Sequence, residues 1–458
     1  MSAMPEGWAK TTLGEIASWS SGGTPSRSEP SYYGGDIPWI KSGELNARYV
    51  TRTEENITEA GLAGSSAKLF PSGSVAIAMY GATIGKTAIL GVDAATNQAC
   101  AVGIPEIGVS SSTFLYRLLQ NEKDAFIAKG KGGAQPNISQ AVIKSHEIYL
   151  PPLAEQTRIA AKLDELLAQV DTLKARIDGI PALLKRFRQS VLAAAVSGRL
   201  TDEWRRPAPS SGADKESSEQ LERQDTSAWP TVQLKEVAFD FAYGSSAKSR
   251  KQGQVPVLRM GNIQNGRLDW EDLVYTSDAW EITKYSLQHN DILFNRTNSP
   301  ELVGKTAIYK SEQAAIYAGY LIRVRCTELL NPDFLTYCLN SPQGRHYCWQ
   351  VKSDGVSQSN INAKKLAAFE FGLPPVEEQT EIVRRVEQLF AFADQLEARV
   401  AAAQERIDKL TQSILAKAFR GELVPQDPND EPASVLLERI KAQRAAAPKA
   451  KRGRKAKA

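Results

Sequence analysis

The sequence predicts an α+β protein: two globular α/β-type regions joined by two long antiparallel coiled-coil helices, with the halves related by a pseudo-two-fold repeat. Three observations predict this class. One motif occurs twice along the 458-residue chain. Each copy opens a long run of apolar residues at heptad spacing. Each copy also follows a region that differs widely from its counterpart.

The repeat is clearest at PPLAEQT (151–157), which returns as PPVEEQT (374–380) at an offset of 223 residues. The offset then holds without a gap over 50 aligned positions, 19 of which are identical. Upstream, GKTAI occurs at 85–89 and again at 304–308. Because a sequence repeat marks a duplicated structural unit, we predict two copies of one unit.

Composition and the repeat together divide the chain into six segments. A stretch rich in Pro, Ser and charge has the composition of a linker, and the C-terminal end is rich in Ala, Lys and Arg. The predicted segments are the first variable region 1–150, a helical spacer 151–206, a linker 207–228, the second variable region 229–373, a second helical spacer 374–440 and a basic disordered tail 441–458.

The two helical spacers carry the heptad pattern. Such a seam can pack on its own globular region, but two seams of equal length favour pairing with each other. Pro181 predicts a kink, and Gly198 and Gly421 predict the ends of the helices. The predicted seam residues, which would also dock partners, are Ile159, Leu163, Leu166, Val170, Leu173, Ile177, Leu184 and Phe187 in the first spacer and Ile382, Val386, Leu389, Leu396, Val400, Ile407, Leu410 and Ile414 in the second.

The variable regions contain patterns of both strands and helices. Residues 74–81 and 291–295 have the β-branched and aromatic content of short strands. Residues 113–121 and 333–341 have the apolar spacing of helices. This mixture is the basis for the α/β-type assignment of both regions.

Charge is unevenly distributed. The net charge is +4, yet residues 439–458 carry nine Lys/Arg and no Asp/Glu, so the rest of the chain sums to −5. Nucleic-acid binding would therefore depend on local patches. The basic tail fits a solubilising segment and a non-specific contact with DNA phosphates equally well.

The termini and the cysteines bear on localisation. The sequence contains neither an apolar run long enough for a membrane span nor a signal peptide. The four cysteines form no CxxC pair, which speaks against a disulfide framework and a zinc ribbon. We expect a cytoplasmic protein without a metal site or a membrane partner.

Two motifs suggest enzymatic sites and fail on inspection. GATIGKT (81–87) is one residue too short for a phosphate-binding loop, with Tyr80 where the first glycine belongs. A turn connecting two strands is the preferred interpretation. NPDF (331–334) approaches an adenine-methyltransferase loop, but its alignment with the first half favours a helix start. No catalytic residue is therefore predicted.

Polar and basic residues on turns of the variable regions are the candidates for contact with base edges, since Arg, Lys, Asn, Gln and Ser can pair with them. Turns also favour Gly, Asn and Ser for conformational reasons alone. The candidate DNA-binding residues are Thr24, Ser26, Arg27, Lys41, Ser42, Lys86, Lys131, Gln135 and Asn137 in the first region and Arg259, Asn262, Gln264, Asn265, Arg296, Asn298, Lys305, Gln358 and Asn360 in the second.

The motifs together resemble the specificity subunits of Type I restriction–modification systems. The resemblance covers nearly the whole chain, in the same order. The stretches that carry it are GGTPSRSEPSYYGGDIPWIKSGEL (22–45), PPLAEQTRIAAKLDELLAQVD (151–171), RFRQSVLAAAVSGRLTDEWR (186–205), NRTNSPELVGKTAIY (295–309) and SILAKAFRGELV (413–424).

The resemblance implies a non-catalytic subunit that reads double-stranded DNA. Each variable region would be a target-recognition domain for one half of a bipartite, asymmetric site, and the spacers would separate the two. The spacers would also dock two methyltransferase subunits, with restriction and translocase subunits completing the complex. The chain itself would hold no cofactor, because S-adenosylmethionine, ATP and Mg²⁺ would belong to the partner subunits.

Two other classes of function remain as alternatives. A self-sufficient methyltransferase or nuclease would need cofactor and catalytic motifs, which the sequence lacks. A coiled-coil scaffold that binds only proteins would have little use for two such divergent globular regions.

Overall fold

A computed structural model of the chain describes residues 4–131, 136–205 and 229–446, with side chains as far as residue 443. It forms two compact units, Met1–Asp178 with Ala402–Ala458, and Gly179–Ala401. The division falls inside the predicted spacers, so each unit contains one variable region and a part of both spacers. The predicted linker, the tail beyond residue 446 and Gln135 lie outside the described residues.

The first variable region is built around two sheets. In order across the first sheet, the strands are Ala17–Ser21, Cys100–Pro105, Val75–Ala78, Thr87–Leu90 and Tyr49–Val50; across the second they are Asn56–Ile57, Tyr33–Ile40, Ala94–Thr96 and Leu69–Phe70. The helices are Leu13–Ile16, Glu59–Ala63, Ser112–Asn121, Lys123–Lys129 and Gln140–Lys144, with 3₁₀ turns at Pro30–Tyr32, Ser42–Glu44 and Gly81–Thr83.

The second variable region follows the same plan with more small sheets. Its main sheet has the order Ala238–Tyr243, Leu321–Cys326, Ile292–Asn295 and Thr306–Ile308, and a second sheet has the order Val274–Thr276, Val255–Leu258 and Ile316–Tyr317. Two small sheets join Ile263–Gln264 to Arg267–Leu268, and Thr297–Asn298 to Ser359–Asn360 and Ser353–Asp354. The helices are Leu234–Val237, Ala279–Tyr285, Pro332–Asn340, Pro342–Val351 and Ala363–Ala367, with a 3₁₀ turn at Met260–Asn262.

The strands and helices predicted from the pattern are confirmed. The predicted strands correspond to Val75–Ala78 and Ile292–Asn295, and the predicted helices to Ser112–Asn121 and Pro332–Asn340. The interpretation of NPDF as a helix start is also confirmed, because the Asn331 side chain caps the helix by accepting the backbone N–H of Asp333 and Phe334.

Each variable region closes on itself where its helical spacer begins. The strand Ala9–Thr12 pairs with Glu147–Leu150 in the first unit, and Thr231–Gln233 pairs with Glu370–Gly372 in the second. The Pro-Pro pair that follows each closing strand has no backbone N–H to extend the sheet. The chain therefore leaves the sheet at this point and enters a helix.

As far as Ala418, the described part of the two spacers consists of three long helices, one 3₁₀ turn and one short helix. The first spacer has a 26-residue helix, Leu153–Asp178, and a 17-residue helix, Ile180–Val196, followed by the 3₁₀ turn Arg199–Thr201 and the short helix Asp202–Arg205. The second spacer has a 43-residue helix, Val376–Ala418. Gly179 interrupts the first spacer for one residue while keeping helical backbone angles.

The predicted helix ends at two glycines are confirmed. Gly198 has φ +76° and Gly421 has φ +77°, the left-handed conformation that terminates a helix and that glycine adopts without a steric penalty. Both residues stand at the same position of the repeat. The last long helix of each spacer is therefore terminated in the same way, by a glycine in the left-handed conformation.

In the first unit, the beginning of the 26-residue helix packs into the core of its own variable region. Ile159 and Leu163 are fully buried there, and Leu167 is buried as well. The prediction of Leu166 as a seam residue is wrong, because Leu166 is only half-buried while Leu167 faces the core. The helix packs on the surface of a globular region, so the buried stripe follows the period of a straight α-helix more closely than the 3.5-residue heptad repeat.

The second unit repeats this packing with the second variable region. Ile382 and Val386 of the 43-residue helix are fully buried in its core. The 17-residue helix contributes Val191, Leu192 and Ala195 to the same core. The second variable region is thus supported by one helix that leaves it and one that arrives.

The middle parts of the spacers pair with each other in antiparallel fashion. In the first unit, Lys174 Nζ lies 2.8 Å from Asp408 Oδ1, and Gln404 donates to Asp178 at 2.8 Å. The seam is not fully covered here: Leu173 is 48% exposed and Leu410 is 45% exposed, against the prediction of a buried seam. In the second unit, Arg188 bridges to Asp394 at 2.7 Å.

The C-terminal helix, Ala433–Ala446, completes the core of the first unit. Its residues Leu436, Leu437 and Ile440 are buried in that core, together with Leu415 from the end of the 43-residue helix. Arg158 of the 26-residue helix bridges to Asp430 just before the C-terminal helix at 2.6 Å. The N-terminal variable region is therefore completed by residues near the opposite end of the sequence.

Candidate nucleic-acid interface

In the first variable region, a loop after the strand Tyr33–Ile40 is fixed by its own side chains. The Glu44 carboxylate accepts the backbone N–H of Lys41 at 2.7 Å. The exposed Asn46 side chain accepts a hydrogen bond from Lys86 Nζ at 2.8 Å. The fold thus brings the loop 40–46, which contains the candidates Lys41 and Ser42, into contact with the candidate Lys86.

The segment that carries Lys86 is a turn between antiparallel strands. It connects Val75–Ala78 with Thr87–Leu90, and Gly81 and Gly85 have φ +59° and +78°. A phosphate-binding loop of the P-loop type instead connects a strand to the N-terminus of a helix. The interpretation as a strand-connecting turn is confirmed.

A third candidate segment of the first region meets this turn. Lys131 and Asn137 exchange two backbone hydrogen bonds of 2.9 Å, and Asn137 forms a β-bridge with Tyr80. The side chains of Lys131 and Asn137 are exposed, and Tyr80 is 44% exposed. An exposed aromatic ring beside a lysine and an amide is a surface that suits nucleic acid.

Arg27 and Lys41 are already engaged by a carboxylate. Arg27 Nη2 donates to Glu55 at 2.9 Å, and Lys41 Nζ lies 3.1 Å from the same carboxylate. These contacts, led by the Arg27 hydrogen bond, lower the pKa of Glu55 to about 2. Arg27 also lies 4.3 Å from the ring centre of Tyr33. Contact of either cation with a base would therefore require this ion-pair network to open.

The remaining candidates of the first region form local contacts. Thr24 donates to the side chain of Gln98, and Ser26 pairs with Ser28 at 2.7 Å. Ser42 is half-buried in its 3₁₀ turn. Thr24 and Ser26 lie on the same loop as Arg27, and Ser42 follows Lys41 directly. Thr24 is thus held by a residue 74 positions away, whereas Ser26 and Ser42 are held within their own turns.

In the second variable region, Asn262 is a structural residue. It is 3% exposed, accepts the backbone N–H of Arg259 at 2.9 Å and donates to the backbone oxygens of Asp269 and Glu271 at 3.1 Å. The prediction that Asn262 contacts bases is wrong, because its buried side chain is already hydrogen-bonded to the backbone of the turn. Arg259 donates to the backbone oxygen of Asp272 at 2.7 Å.

Asn265 and Gln264 lie at the exposed end of this loop. Asn265 and Gly266 have φ +51° and +76°, as a two-residue Asn-Gly hairpin requires. Gln264 is exposed, and its side-chain oxygen lies 3.2 Å from Lys305 Nζ. Turn conformation thus accounts for Asn265, while Gln264 and Lys305 form a surface pair.

A second cluster of the same region surrounds Arg296. Its guanidinium lies 4.6 Å from the ring centre of Tyr243 and donates to Gly319 O and Asn360 Oδ1, both at 3.3 Å. Asn360 in turn donates to Thr297 at 2.8 Å. The half-buried guanidinium thus stacks on the Tyr243 ring, and its polar edge is hydrogen-bonded to the Asn360 side chain.

A small antiparallel sheet brings the remaining candidates to this cluster. The strand Thr297–Asn298 pairs with Ser359–Asn360, so Asn298 lies opposite Ser359. Gln358 immediately precedes this strand and is exposed. The candidates Arg296, Asn298, Gln358 and Asn360, which are up to 64 residues apart in sequence, therefore share one surface.

A basic segment of the second region is absent from the candidates predicted from the sequence. Lys248, Arg250 and Lys251 are exposed, and none of them forms an ion pair with any described residue. The segment follows Gly244, where a side chain would come within 2.3 Å of Tyr317 O, just as one at Gly22 would meet Thr96. Alignment of these two glycines would have revealed that residues 248–251 correspond to the loop that carries Arg27.

Residues 4–131, 136–205 and 229–446 contain no group of three or more His, Cys, Asp or Glu side chains suited to a metal ion. Burial raises the pKa of the Cys100 and Cys326 thiols to about 12 and that of Cys348 to about 11. These thiols therefore stay protonated at neutral pH.

Among the described residues, no helix is both long and apolar enough to cross a membrane.

A family model described as the Type I restriction modification DNA specificity domain matches the chain twice, at residues 5–182 and 226–404. The two matches correspond to the two copies of the repeat. The first begins near the start of the first variable region and the second just ahead of the second variable region, and each ends inside the helical spacer that follows.

Curated relatives are similar over the full length. The EcoKI specificity subunit of Escherichia coli K12 is 34% identical over 473 aligned residues, covering 99% of this chain and 98% of the relative. The StySPI specificity subunit of Salmonella potsdam is 35% identical, with the same coverage of both chains.

Solved structures share the fold. A chain from a study of complex assembly and conformational transition of the type I R-M system has a TM-score of 0.70 at 20% identity, covering 92% of this chain and all of that one. The HsdS subunit from Thermoanaerobacter tengcongensis has a TM-score of 0.55 at 21% identity, covering 92% and 98%. With two family-model matches on the two halves of the repeat and full-length relatives above 30% identity, this chain belongs to the family of Type I restriction–modification specificity subunits.

Proposed function

We propose that this chain reads a bipartite, asymmetric site on double-stranded DNA, with each variable region reading one half. The observation that carries the proposal is the pairing of equivalent folds with different polar surfaces. The first region presents Lys131 and an exposed Tyr80 beside Asn137, whereas the second presents Arg296 and Thr297 beside the equivalent Asn360. Different side chains on equivalent turns select different bases.

The chain would act by positioning partner subunits. Membership in the family of specificity subunits supports this part of the proposal, and the half-exposed Leu173 and Leu410 are candidate contacts on the helical spacers. We propose that two methyltransferase subunits dock on the spacers and that restriction and translocase subunits join them. S-adenosylmethionine, ATP and Mg²⁺ would bind to those partners, and the chain itself would hold no cofactor.

The experiment is to map modified adenines in cells that express the chain with a methyltransferase subunit of its system. We expect two dissimilar short half-sites separated by a fixed, unspecified gap. Arg296→Ala should relax the sequence of one half-site and Lys131→Ala that of the other, because loss of a base contact costs about 1–3 kcal/mol at one position only. Lys310→Ala, at a lysine already paired with Asp333, is the matched control.

A continuous or palindromic motif would contradict the bipartite proposal. A change in the same half-site for both variants would contradict the assignment of one region to each half. Methylation by the purified chain without partners would contradict the absence of catalysis.

A further inference from the structure

Two lysines occupy equivalent turns of the two variable regions. Lys86 ends the turn between the strands Val75–Ala78 and Thr87–Leu90, and Lys305 ends the turn between Ile292–Asn295 and Thr306–Ile308. The backbone hydrogen bonds match: Ala78 N donates to Lys86 O, and Asn295 N donates to Lys305 O, both at 2.8 Å.

A glycine fixes the backbone directly before each lysine. Gly85 has φ +78° and Gly304 has φ +88°, a region that other residues rarely adopt. A Cβ at Gly85 would lie 2.7 Å from Lys123 Cγ, and one at Gly304 would lie 2.5 Å from Cys348 Sγ. The left-handed backbone conformation at both positions, and the packing against Cys348 at Gly304, disfavour any residue other than glycine, so the two turns share one backbone conformation.

Each lysine reaches the amide of an exposed residue on a second loop. Lys86 Nζ donates to Asn46 Oδ1 at 2.8 Å, and Lys305 Nζ lies 3.2 Å from Gln264 Oε1. Both lysines are half-buried and both amides are exposed. The partner loops, 40–46 and 258–264, are themselves equivalent, because the side chain at position 44 or 262 accepts the backbone N–H three residues earlier in both.

Neither lysine has a carboxylate partner among the described residues. Lys86 and Lys305 are absent from the ion pairs that neutralise neighbouring cations such as Arg27 and Lys310. Burial, with a smaller contribution from Arg345, lowers the pKa of Lys305, so its charge is partly desolvated without a compensating anion. A bound anion would supply that compensation.

A feature that is the same in both regions cannot encode the difference between two dissimilar half-sites. It can serve a role that both half-sites share, and the phosphate backbone is what they share. Resting on the proposed function, we infer that Lys86 and Lys305 are phosphate anchors that grip DNA independently of sequence, each paired with the amide of Asn46 or Gln264. Base selection would then lie with residues that differ between the regions.

The test compares Lys86→Gln, Lys305→Gln and the double variant in the full chain co-purified with its methyltransferase subunit. The probes are a fluorescein-labelled 40-bp duplex of random sequence and one that carries the mapped site, titrated at several salt concentrations. Each single variant should weaken binding to both duplexes by a similar factor, about threefold at 0.2 M salt, and lower the slope of log affinity against log salt by about 0.9. The double variant should show both losses, and the methylated motif should stay the same.

Lys310→Gln is the control, because its charge is already compensated by Asp333, and its salt slope should equal that of the native protein. Lys305→Arg keeps the charge and should keep most of the slope, which separates loss of charge from loss of folding. An unchanged slope in both single variants, or a change of motif at one half-site, would overturn the inference. Failure of the native complex to prefer the mapped site would instead overturn the proposed function.

Discussion

At the scale of single residues, Glu155 and Glu378 occupy the same position of the repeat in different electrostatic surroundings. Both accept a tryptophan indole N–H, from Trp8 at 3.0 Å and from Trp229 at 3.1 Å. Glu378 also pairs with Arg205, whereas Glu155 has one buried oxygen without a hydrogen bond. The PPxxEQT motif thus links each variable region to its helix, but among the described residues only Glu378 of the two forms an ion pair.

Burial raises the pKa of Glu155 above its ordinary value of 4.5. Between the ordinary and the raised pKa, the folded state binds more protons than the unfolded state. The free energy of unfolding therefore falls as the pH rises through this window, and the loss persists at higher pH. We expect Glu155→Gln to raise the melting temperature at pH 7.5 and to remove this pH dependence.

Glu378→Gln should have the opposite effect. Arg205, of which only 10% is exposed, would lose the nearer of its two carboxylate partners and keep only Asp202 at 3.5 Å, at a cost of about 2 kcal/mol. Calorimetry of the two variants from pH 5 to pH 8 checks both expectations. Shifts of the same sign for both variants at pH 7.5 would contradict the different role assigned to the two carboxylates.

The residues of the candidate interface could be predicted only in part. Chemical type selected Lys86 and Lys305 correctly as surface cations on turns. It could not separate them from Asn262 and Asn265, since an asparagine that holds a turn and one that reads a base have the same local sequence. It also could not show that Arg27 is engaged, because Glu55 is 28 residues away in sequence.

At the scale of elements, the seam of the spacers shows that a heptad pattern predicts a helix but not every residue that the helix buries. The sequence predicted the helices and their ends, because apolar spacing and positive-φ glycines are local properties. It misplaced Leu166 and Leu173, because the face that a helix buries depends on what it packs against. Here the partner is a globular region at the beginning of the helix and another helix farther along.

Leu167→Ala should destabilise the first unit by about 2–4 kcal/mol, since it removes a buried side chain from the core. Leu166→Ala, at the neighbouring half-buried position, should cost clearly less and serves as the matched control. Denaturant unfolding followed by circular dichroism measures both. A larger loss at position 166 than at position 167 would restore the heptad register predicted from the sequence.

At the scale of the whole molecule, the repeat in the sequence and the division in space do not coincide. The two copies of the repeat are consecutive along the chain, yet the first unit takes residues from both ends of it. The spacing of apolar residues in the sequence shows that a helix has an apolar face. It does not show which hydrophobic core that face packs into. For this reason the sequence predicted two similar halves but not the contribution of Leu415 and Leu437 to the first.

Truncation after Glu431 removes the C-terminal helix and should lower the thermal stability of the first unit, because buried apolar surface on Leu436, Leu437 and Ile440 is lost. Truncation after Ala446 removes only the basic end of the chain and is the control. Calorimetry, with limited proteolysis to locate the less stable part, measures both. If the variant that ends at Glu431 were cleaved first in its second unit, the assignment of the C-terminal helix to the first unit would be contradicted.

The arrangement of the cores has a consequence for biosynthesis. All residues of the second unit lie between Gly179 and Ala401, so its core is complete once that stretch has left the ribosome. The first unit must wait for Leu437, and at about 5–20 residues per second the interval after Asp178 lasts tens of seconds. Throughout that time, apolar side chains around Leu13 and Ile159 lack part of their cover. The half of the protein that is made first is therefore the half that is finished last.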